Sequence, residues 1–575
     1  MRAEADGLTN GLAVPSADGA RWWCSMSALA KLVPLSWLFV ACVLSMLATL
    51  AQATDALAQG NDLDSPTAAR STLMGNTGVA LGRDGAAPFY NPATIVRIRD
   101  QRLTFSVHFY SLTLSDFERW HKPGAIDAAQ FQDRQFGNTM LSDTSFHSLP
   151  STLCLFFTLE QLAKLPSEGV GKGAAKDNDK ANDKAKSSSD HDDRESERAR
   201  ANDEPTGKKL AFCLASLESE DIDLQAIRFH GETVAGPTTQ VQSVQRRWNR
   251  MYIGPTYSVS LNDHFALGAS LHFVYSYQSH GLNSDSLTAD MTGGGIASSL
   301  TSSSAGKSVD LTGVLGATYR FDRVTLGASV RLPAVHLFGG YDATFSRSYT
   351  GQTTASEVVD ATGRMSSAPP TRVALGAGIA WERLTLEIDG ALVLPWQDVI
   401  STDLHVTTTT LKDAALAQVR STESHSVGGH VTFNPGAGLE FFLTPRLSLL
   451  GGISSNFTSI GRLKPQPILG NLIQARANHV TAAFGVGSYW REGELLVGVQ
   501  LDYGWGEALA ANPYVIPNDW SVVGLRTYSL LFVISGSTKL SSIVRTVSNI
   551  VEGGGPDKAK KPAQDAEGVP LNKGR

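Results

Sequence analysis

From residue 102 onward, apolar and polar residues alternate with a period of two in about fourteen successive segments. These lie near 102–114, 151–161, 208–218, 247–261, 264–279, 306–320, 324–340, 369–382, 384–399, 426–443, 446–459, 475–491, 494–507 and 522–539. Val497, Val499, Leu501, Tyr503 and Trp505, for example, alternate with Gly498, Gln500, Asp502 and Gly504. One face is oily and ends in aromatics; the other is small or polar. Short links (Asn262-Asp263, Phe321-Asp322-Arg323, Glu382-Arg383, Thr444-Pro445, Glu492-Gly493) alternate with long ones rich in Gly, Ser, Thr and Asn. A soluble sandwich also alternates, but only a membrane barrel has reason to keep short turns on one side and long loops on the other. The pattern predicts an all-β fold: a transmembrane antiparallel β-barrel of about fourteen strands spanning 102–540.

The stretch before the barrel has a different character. Residues 54–101 are rich in small residues, among them Gly75, Gly78, Gly82 and Gly85, which permit close backbone packing but build no core of their own. The segment must lodge in something larger. Phe89, Tyr90, Asn91, Pro92 and Ala93 then turn the chain, with Pro92 fixing its own φ and biasing Asn91 away from helix.

A Gly/Ala-rich N-terminal segment with an F-x-N-P-A motif, here Phe89, Asn91, Pro92 and Ala93, followed by a barrel, resembles the FadL-type outer-membrane channels. Members of that family carry long-chain fatty acids and, in the TodX-type branch, aromatic hydrocarbons. The resemblance implies a plug, or hatch, in the lumen of a fourteen-stranded barrel. It also implies sideways release of substrate beside the plug, near a kinked strand early in the barrel. The matching strand, Lys208 to Glu218, has no proline or internal glycine, so that position does not transfer.

Leu32 to Leu50 is apolar, follows Lys31 and precedes Ala51-Gln52-Ala53, which reads as a secretory signal peptide over residues 1–53, with Met26 the more ordinary start. Export places the protein in the outer membrane of a Gram-negative bacterium, with the barrel-assembly machinery, outer-membrane lipids and lipopolysaccharide as its surroundings. The cluster Arg246-Arg247-Trp248-Asn249-Arg250 is read as an outer contact for lipopolysaccharide phosphates. Residues 162–207 form a charged, low-complexity insert with little apolar surface to bury, and 541–575 a C-terminal tail. Cys154 and Cys213 flank the insert on adjacent antiparallel strands and the same lumenal face, within disulfide reach in a suitable register; two free buried thiols are the alternative.

The net charge of −6 gives no reason to expect nucleic-acid binding. No nucleophile elbow, H-E-x-x-H or paired C-x-x-C occurs, and alternation puts His108, His272 and His430 in the lumen, so neither enzyme, metal nor cofactor is expected. His108, His272 and Arg331 face the lumen with Arg320, Asp310, Glu387, Asp389, Glu440 and Asp502; these charges are expected to pair with one another or with water. Arg331 is the candidate holder of a carboxylate head group, with His272 and His108 beside it. Pro255, Pro333, Pro395 and Pro435 fall within strands and mark bulges or breaks. The reading is a channel for passive uptake of hydrophobic compounds, foremost long-chain fatty acids, gated by the plug. A barrel that serves as a scaffold or shuttle for exported proteins is the second reading.

Overall fold

The structure is a computed structural model. It describes residues 68–98, 101–118, 139–146, 151–159, 207–233, 236–289, 295–351, 354–394, 400–412, 415–427, 429–461, 463, 476–490, 492–512 and 519–542. The signal peptide, the charged insert and the tail beyond 542 lie outside the described residues.

The barrel begins with β1 (Arg102–Glu118), β2 (Thr139–Phe146), β3 (Thr152–Thr158), β4 (Lys208–Thr233), β5 (Gly236–Ser260) and β6 (Phe265–Ala289). It continues with β7 (Gly295–Phe321), β8 (Val324–Arg331), β9 (Val335–Thr350), β10 (Thr354–Ser366), β11 (Thr371–Ala380), β12 (Leu384–Leu394) and β13 (Ile400–Lys412). It ends with β14 (Ala415–Val427), β15 (Thr432–Thr444), β16 (Leu447–Asn456), β17 (Arg476–Trp490), β18 (Gly493–Asn512) and β19 (Asp519–Lys539). Every ladder is antiparallel, and β19 pairs with β1 from Arg102↔Lys539 to Glu118↔Gly524, which closes the wall.

Five staves of the wall consist of two segments each: β2 with β3, β8 with β9, β10 with β11, β12 with β13, and β14 with β15. The nineteen segments therefore form fourteen staves. Pro333 falls in the gap between β8 and β9, where a residue without an N–H belongs; Pro395 lies outside the described residues. Pro255 stays within β5, but the β5–β6 ladder skips it between Ile253↔Phe273 and Thr256↔Ser270. Pro435 lies within β15, paired with Gly390.

The short turns fall where the sequence predicts them. One two-residue turn, between β7 and β8, holds Asp322 at φ 51°, a left-handed position that Asp tolerates. The outer ends run longer than the alternation suggests. β6 and β7 have 25 and 27 residues, more than twice the ~10 needed to cross a bilayer. The excess stands beyond the membrane, where the inward face is buried but largely polar (Ser284, Ser286, Thr288, Ser302, Ser304), so no apolar stripe marks the strand. That is why β4 to β7 were foreshortened in the sequence pattern.

Phe212, Ile253, Leu267, Phe273, Leu315, Ile388, Phe433, Phe484 and Leu501 are exposed, whereas Ser258, His272, Ser308, Asp310, Glu387 and Glu440 on the opposite faces are buried. An even-stranded closed barrel with an apolar outside and a polar inside is an outer-membrane architecture. The cluster around Arg247 divides between the faces: Arg247 points outward, while Trp248 and Arg250 are buried in the lumen. It is therefore no single outer patch.

Cys154 and Cys213 lie directly opposite one another on β3 and β4 and form a disulfide. The bond staples a ladder of only seven pairs, Thr152↔Ala215 to Thr158↔Lys209. Its sequence separation is 59 residues, for which loop-closure entropy gives a stabilisation of about 4 kcal/mol. Cys154→Ala with Cys213→Ala should lower the midpoint of heat-induced unfolding on unboiled gels, and reducing the wild type under denaturing conditions before refolding should reproduce the shift.

Candidate functional site

Residues 68–98 lie inside the barrel and are almost wholly buried. They comprise α1 (Ala69–Leu73), α2 (Ala87–Tyr90) and a 3-10 turn over Pro92–Arg97, joined by irregular chain. So few helical residues leave many backbone groups without a local partner, and buried N–H groups must be satisfied elsewhere.

Two devices on the wall receive this backbone. The first is a series of lumenal glycines. A Cβ at Gly316 would fall on Asn91 Oδ1, at Gly268 on Pro92, at Gly327 on the Val79 carbonyl, at Gly438 on the Met74 carbonyl and at Gly452 on the Gly75 nitrogen. Gly75 itself has φ 68° and lies so close to Ala437 and Ile453 that a Cβ would come 2.6 Å from their backbone atoms. A side chain is excluded there twice, by space and by conformation. The segment thus follows the inner circumference, from Leu73 against β17 and β18 to Ala93 against β5 and β6.

The second device is a set of buried carboxylates. Asp389 Oδ2 accepts the N–H groups of Gly78 (2.7 Å) and Val79 (2.8 Å). Two residues earlier on β12, Glu387 Oε1 accepts those of Ala80 (2.8 Å) and Leu81 (2.7 Å). Glu440 on β15 takes Arg70 (3.0 Å) and Arg83 (2.9 Å) on one oxygen, and Ser448 and Tyr489 on the other. Hydrogen bonds to a charged group contribute about 1.5–3 kcal/mol each. The sequence reading paired Glu387, Asp389 and Glu440 with other lumenal charges or water; instead they grip the inner segment. Among the other charges, Asp310 pairs with His336 at 2.9 Å and Asp502 with His479 at 2.6 Å. Arg320 is half-exposed at the turn, bonded to the Asp322 carbonyl.

The F-Y-N-P-A motif sits at the centre. Asn91 closes it by donating from Nδ2 to the carbonyls of Val79 (2.7 Å) and Ala317 (3.1 Å) and accepting the Ala93 N–H at Oδ1 (3.1 Å). Phe89 stacks on the His272 ring at 4.8 Å and meets Tyr252 edge-on at 6.1 Å. His272 Nε2 is buried with no hydrogen-bond partner among the described residues. The Arg331 guanidinium lies 6.0 Å from the Tyr252 ring, and that of Arg372 lies 5.4 Å from the Tyr90 ring.

Arg331 and Arg372 are direct cross-strand neighbours on β8 and β11, both buried. The pair brings two guanidinium groups to the lumenal face above Tyr90. Sequence reading singled out Arg331 and missed Arg372; their juxtaposition depends on register, which no single segment encodes. His108 lies on β1 opposite Val533, beside a bulge, and its side chain lies outside the described residues. His430 is exposed between β14 and β15, its N–H on the Ser459 carbonyl.

On the outer side of the motif, Trp248, Tyr341, Met365, Leu404, Ile460 and Leu463 form an apolar cluster inside the barrel. Ile460 and Leu463 come from the connection after β16, which folds inward. The inside of the barrel therefore holds both an apolar cluster and two buried guanidinium groups.

No protein-family model and no curated protein matches the chain. Among solved structures it is similar to a FadL homologue of Pseudomonas aeruginosa, at 14% identity over 83% of this chain and 99% of that one, with a TM-score of 0.44. It is similar to the P. putida toluene transporter TodX at 17% identity over 82% and 98%, with a TM-score of 0.47. It is also similar to the Ralstonia pickettii toluene transporter TbuX at 12% identity over 82% and 98%, with a TM-score of 0.39.

Emptying the lumen should be possible from either device. Gly327→Leu, which fills the space of Val79, and Asp389→Ala, which removes two N–H acceptors, should each raise ion conductance in planar bilayers well above wild type. Gly340→Leu, at a wall glycine with no atom nearer than 4.0 Å, should leave conductance unchanged.

Proposed function

We propose that this protein is an outer-membrane channel for passive uptake of hydrophobic compounds, foremost long-chain fatty acids, with residues 68–98 as its plug. One observation carries the reading: two buried guanidinium groups, Arg331 and Arg372, are cross-strand neighbours inside a barrel that also buries an apolar cluster around Tyr341 and Leu404. A fatty acid has the matching polarity, a carboxylate at one end and an alkyl chain along the rest. A carboxylate brought to Arg331 and Arg372 would form charge-assisted hydrogen bonds with their guanidinium groups. The unpartnered His272 Nε2 beside them adds a further polar contact, and Trp248, Tyr341 and Leu404 would line the alkyl chain.

Phe89 and Tyr90 tie this site to the plug, because their rings contact His272 and the Arg372 guanidinium respectively. A ligand that draws Arg372 away from Tyr90 loosens a contact of the motif that Asn91 closes. Binding and plug movement are thereby linked through two aromatic rings.

Cells expressing Arg331→Gln or Arg372→Gln, at wild-type levels in the outer membrane, should take up labelled oleate at least about tenfold more slowly, a loss of ~1.4 kcal/mol at the binding step. Uptake of an uncharged alkane of equal length should change little. Equal oleate uptake by wild type, both variants and a deletion strain would remove fatty acids as the substrate.

A further inference from the structure

One strand of the outer wall has a partner on one side alone. β14 pairs with β13 without a break from Ile400↔Val427 to Lys412↔Ala415. Lower on the same stave, β15 lies between β12 and β16. The stave that would flank β14 leaves the wall beneath it. β16 ends at Asn456, Ile460 bridges Gly429, the His430 N–H bonds the Ser459 carbonyl, and Ile460 and Leu463 join the inner apolar cluster. β17 starts at Arg476 and pairs there with β18. Among the described residues, the second edge of β14 therefore carries no ladder.

Exposure agrees with that edge. Ala415 to Thr422 are eight consecutive exposed residues, and Leu416 and Val419 are 72% and 63% exposed. A strand within a wall hides alternate residues, as β13 does with Leu404 and Val406. β14 stands as a margin open on both faces.

Exposed edges are ordinarily blunted by shortness, proline, a bulge or charge. β14 has thirteen residues, no proline and no register shift against β13. Of its two charged residues, Glu423 is occupied by His425 (3.1 Å) and Ser421 Oγ (3.1 Å). Arg420 is exposed and has no partner among the described residues.

We infer that the free edge of β14 is a docking site on the outer side of the barrel, where an extended polypeptide segment adds to the wall as an antiparallel strand. An edge strand presents N–H and C=O groups at a repeat of two residues, about 6.8 Å, and another extended backbone answers that repeat along its whole length. Side chains then set which segment fits. An acidic residue opposite Arg420 brings the next residue opposite Val419 and the fourth beyond it opposite Leu416. The partner segment thus carries an acid followed at the first and fourth positions by apolar residues. A second copy in the same membrane does not fit, because two barrels inserted in one orientation cannot bring their β14 edges antiparallel. The inference stands apart from what passes through the lumen.

A fluorescein-labelled peptide, Thr-Val-Thr-Asp-Val-Thr-Thr-Leu-Thr, has that pattern. Added to the purified protein in detergent micelles, it should show saturable binding by anisotropy. A lysine in place of its aspartate should weaken binding about fivefold, since an attractive cross-strand pair becomes a repulsive one. Arg420→Glu should reverse the preference, favouring the lysine peptide over the aspartate one. Methylating alternate amide nitrogens removes the donors of one peptide edge and keeps every side chain. Of the two forms so made, one should lose binding and the other retain it.

Binding of both methylated forms, or affinities indifferent to the charge swap, would overturn the docked strand. So would a wild type that binds neither the aspartate nor the lysine peptide. Dimerisation of the wild type that Arg420→Glu abolishes would overturn it in favour of a second copy.

Discussion

Everything in this lumen depends on satisfying the backbone of an irregular segment buried away from water. Four successive N–H groups, Gly78 to Leu81, point at the wall and receive two carboxylates spaced two residues apart on β12. That spacing is the strand period, which puts Glu387 and Asp389 on the same lumenal face. Carboxylates at this depth are costly unless paired, so wall and segment need each other. Without the segment, the lumen would hold uncompensated acids; without the acids, the segment would carry buried donors with no acceptor.

Glycines supply the other half of the constraint. A carboxylate can reach a backbone N–H only if the segment lies against the wall, and Gly316, Gly327, Gly438 and Gly452 provide that closeness. The same residues look weak by strand propensity, since glycine packs nothing and costs entropy in a strand. Their positions make sense only once the barrel's contents are known. A polar lumen with glycines at one level is the wall's record of the chain lying against it.

How much of this was legible in sequence follows from which signals are local. Alternation and turn parity are local, and they located all fourteen staves and the short turns at one end of the barrel, but not the tight connections β4–β5, β9–β10 and β13–β14 at the other. Asn91 and Pro92 are local, and they marked the centre of the inner segment. Arg372 opposite Arg331 and Glu440 against Arg70 are pairings between segments 41 and 370 positions apart, and periodicity carries no register. The outer reaches of β6 and β7 also escaped, because their buried face is mostly serine and threonine and gives no apolar stripe. Pro333 gave warning of a break between β8 and β9, but the exposure of Val335 to Phe338 beside it is visible only in the structure.

The breaks divide four adjacent staves into two panels with different contents. The lower panel, β8, β11, β12 and β15, holds the glycines and acids that grip residues 70–83. The upper panel, β9, β10, β13 and β14, contributes Tyr341, Met365 and Leu404 to the apolar cluster. Continuous ladders would force both panels to move as one sheet, since hydrogen-bonded strands transmit displacement along their length. Interrupted ladders loosen that coupling between the carboxylates' hold on the inner segment and the packing of the apolar cluster. Arg331 and Arg372 form the last paired row of the lower panel, and Ser367 lies just beyond it in the unpaired stretch. The discontinuity therefore falls between the polar grip on the inner segment and the apolar cluster.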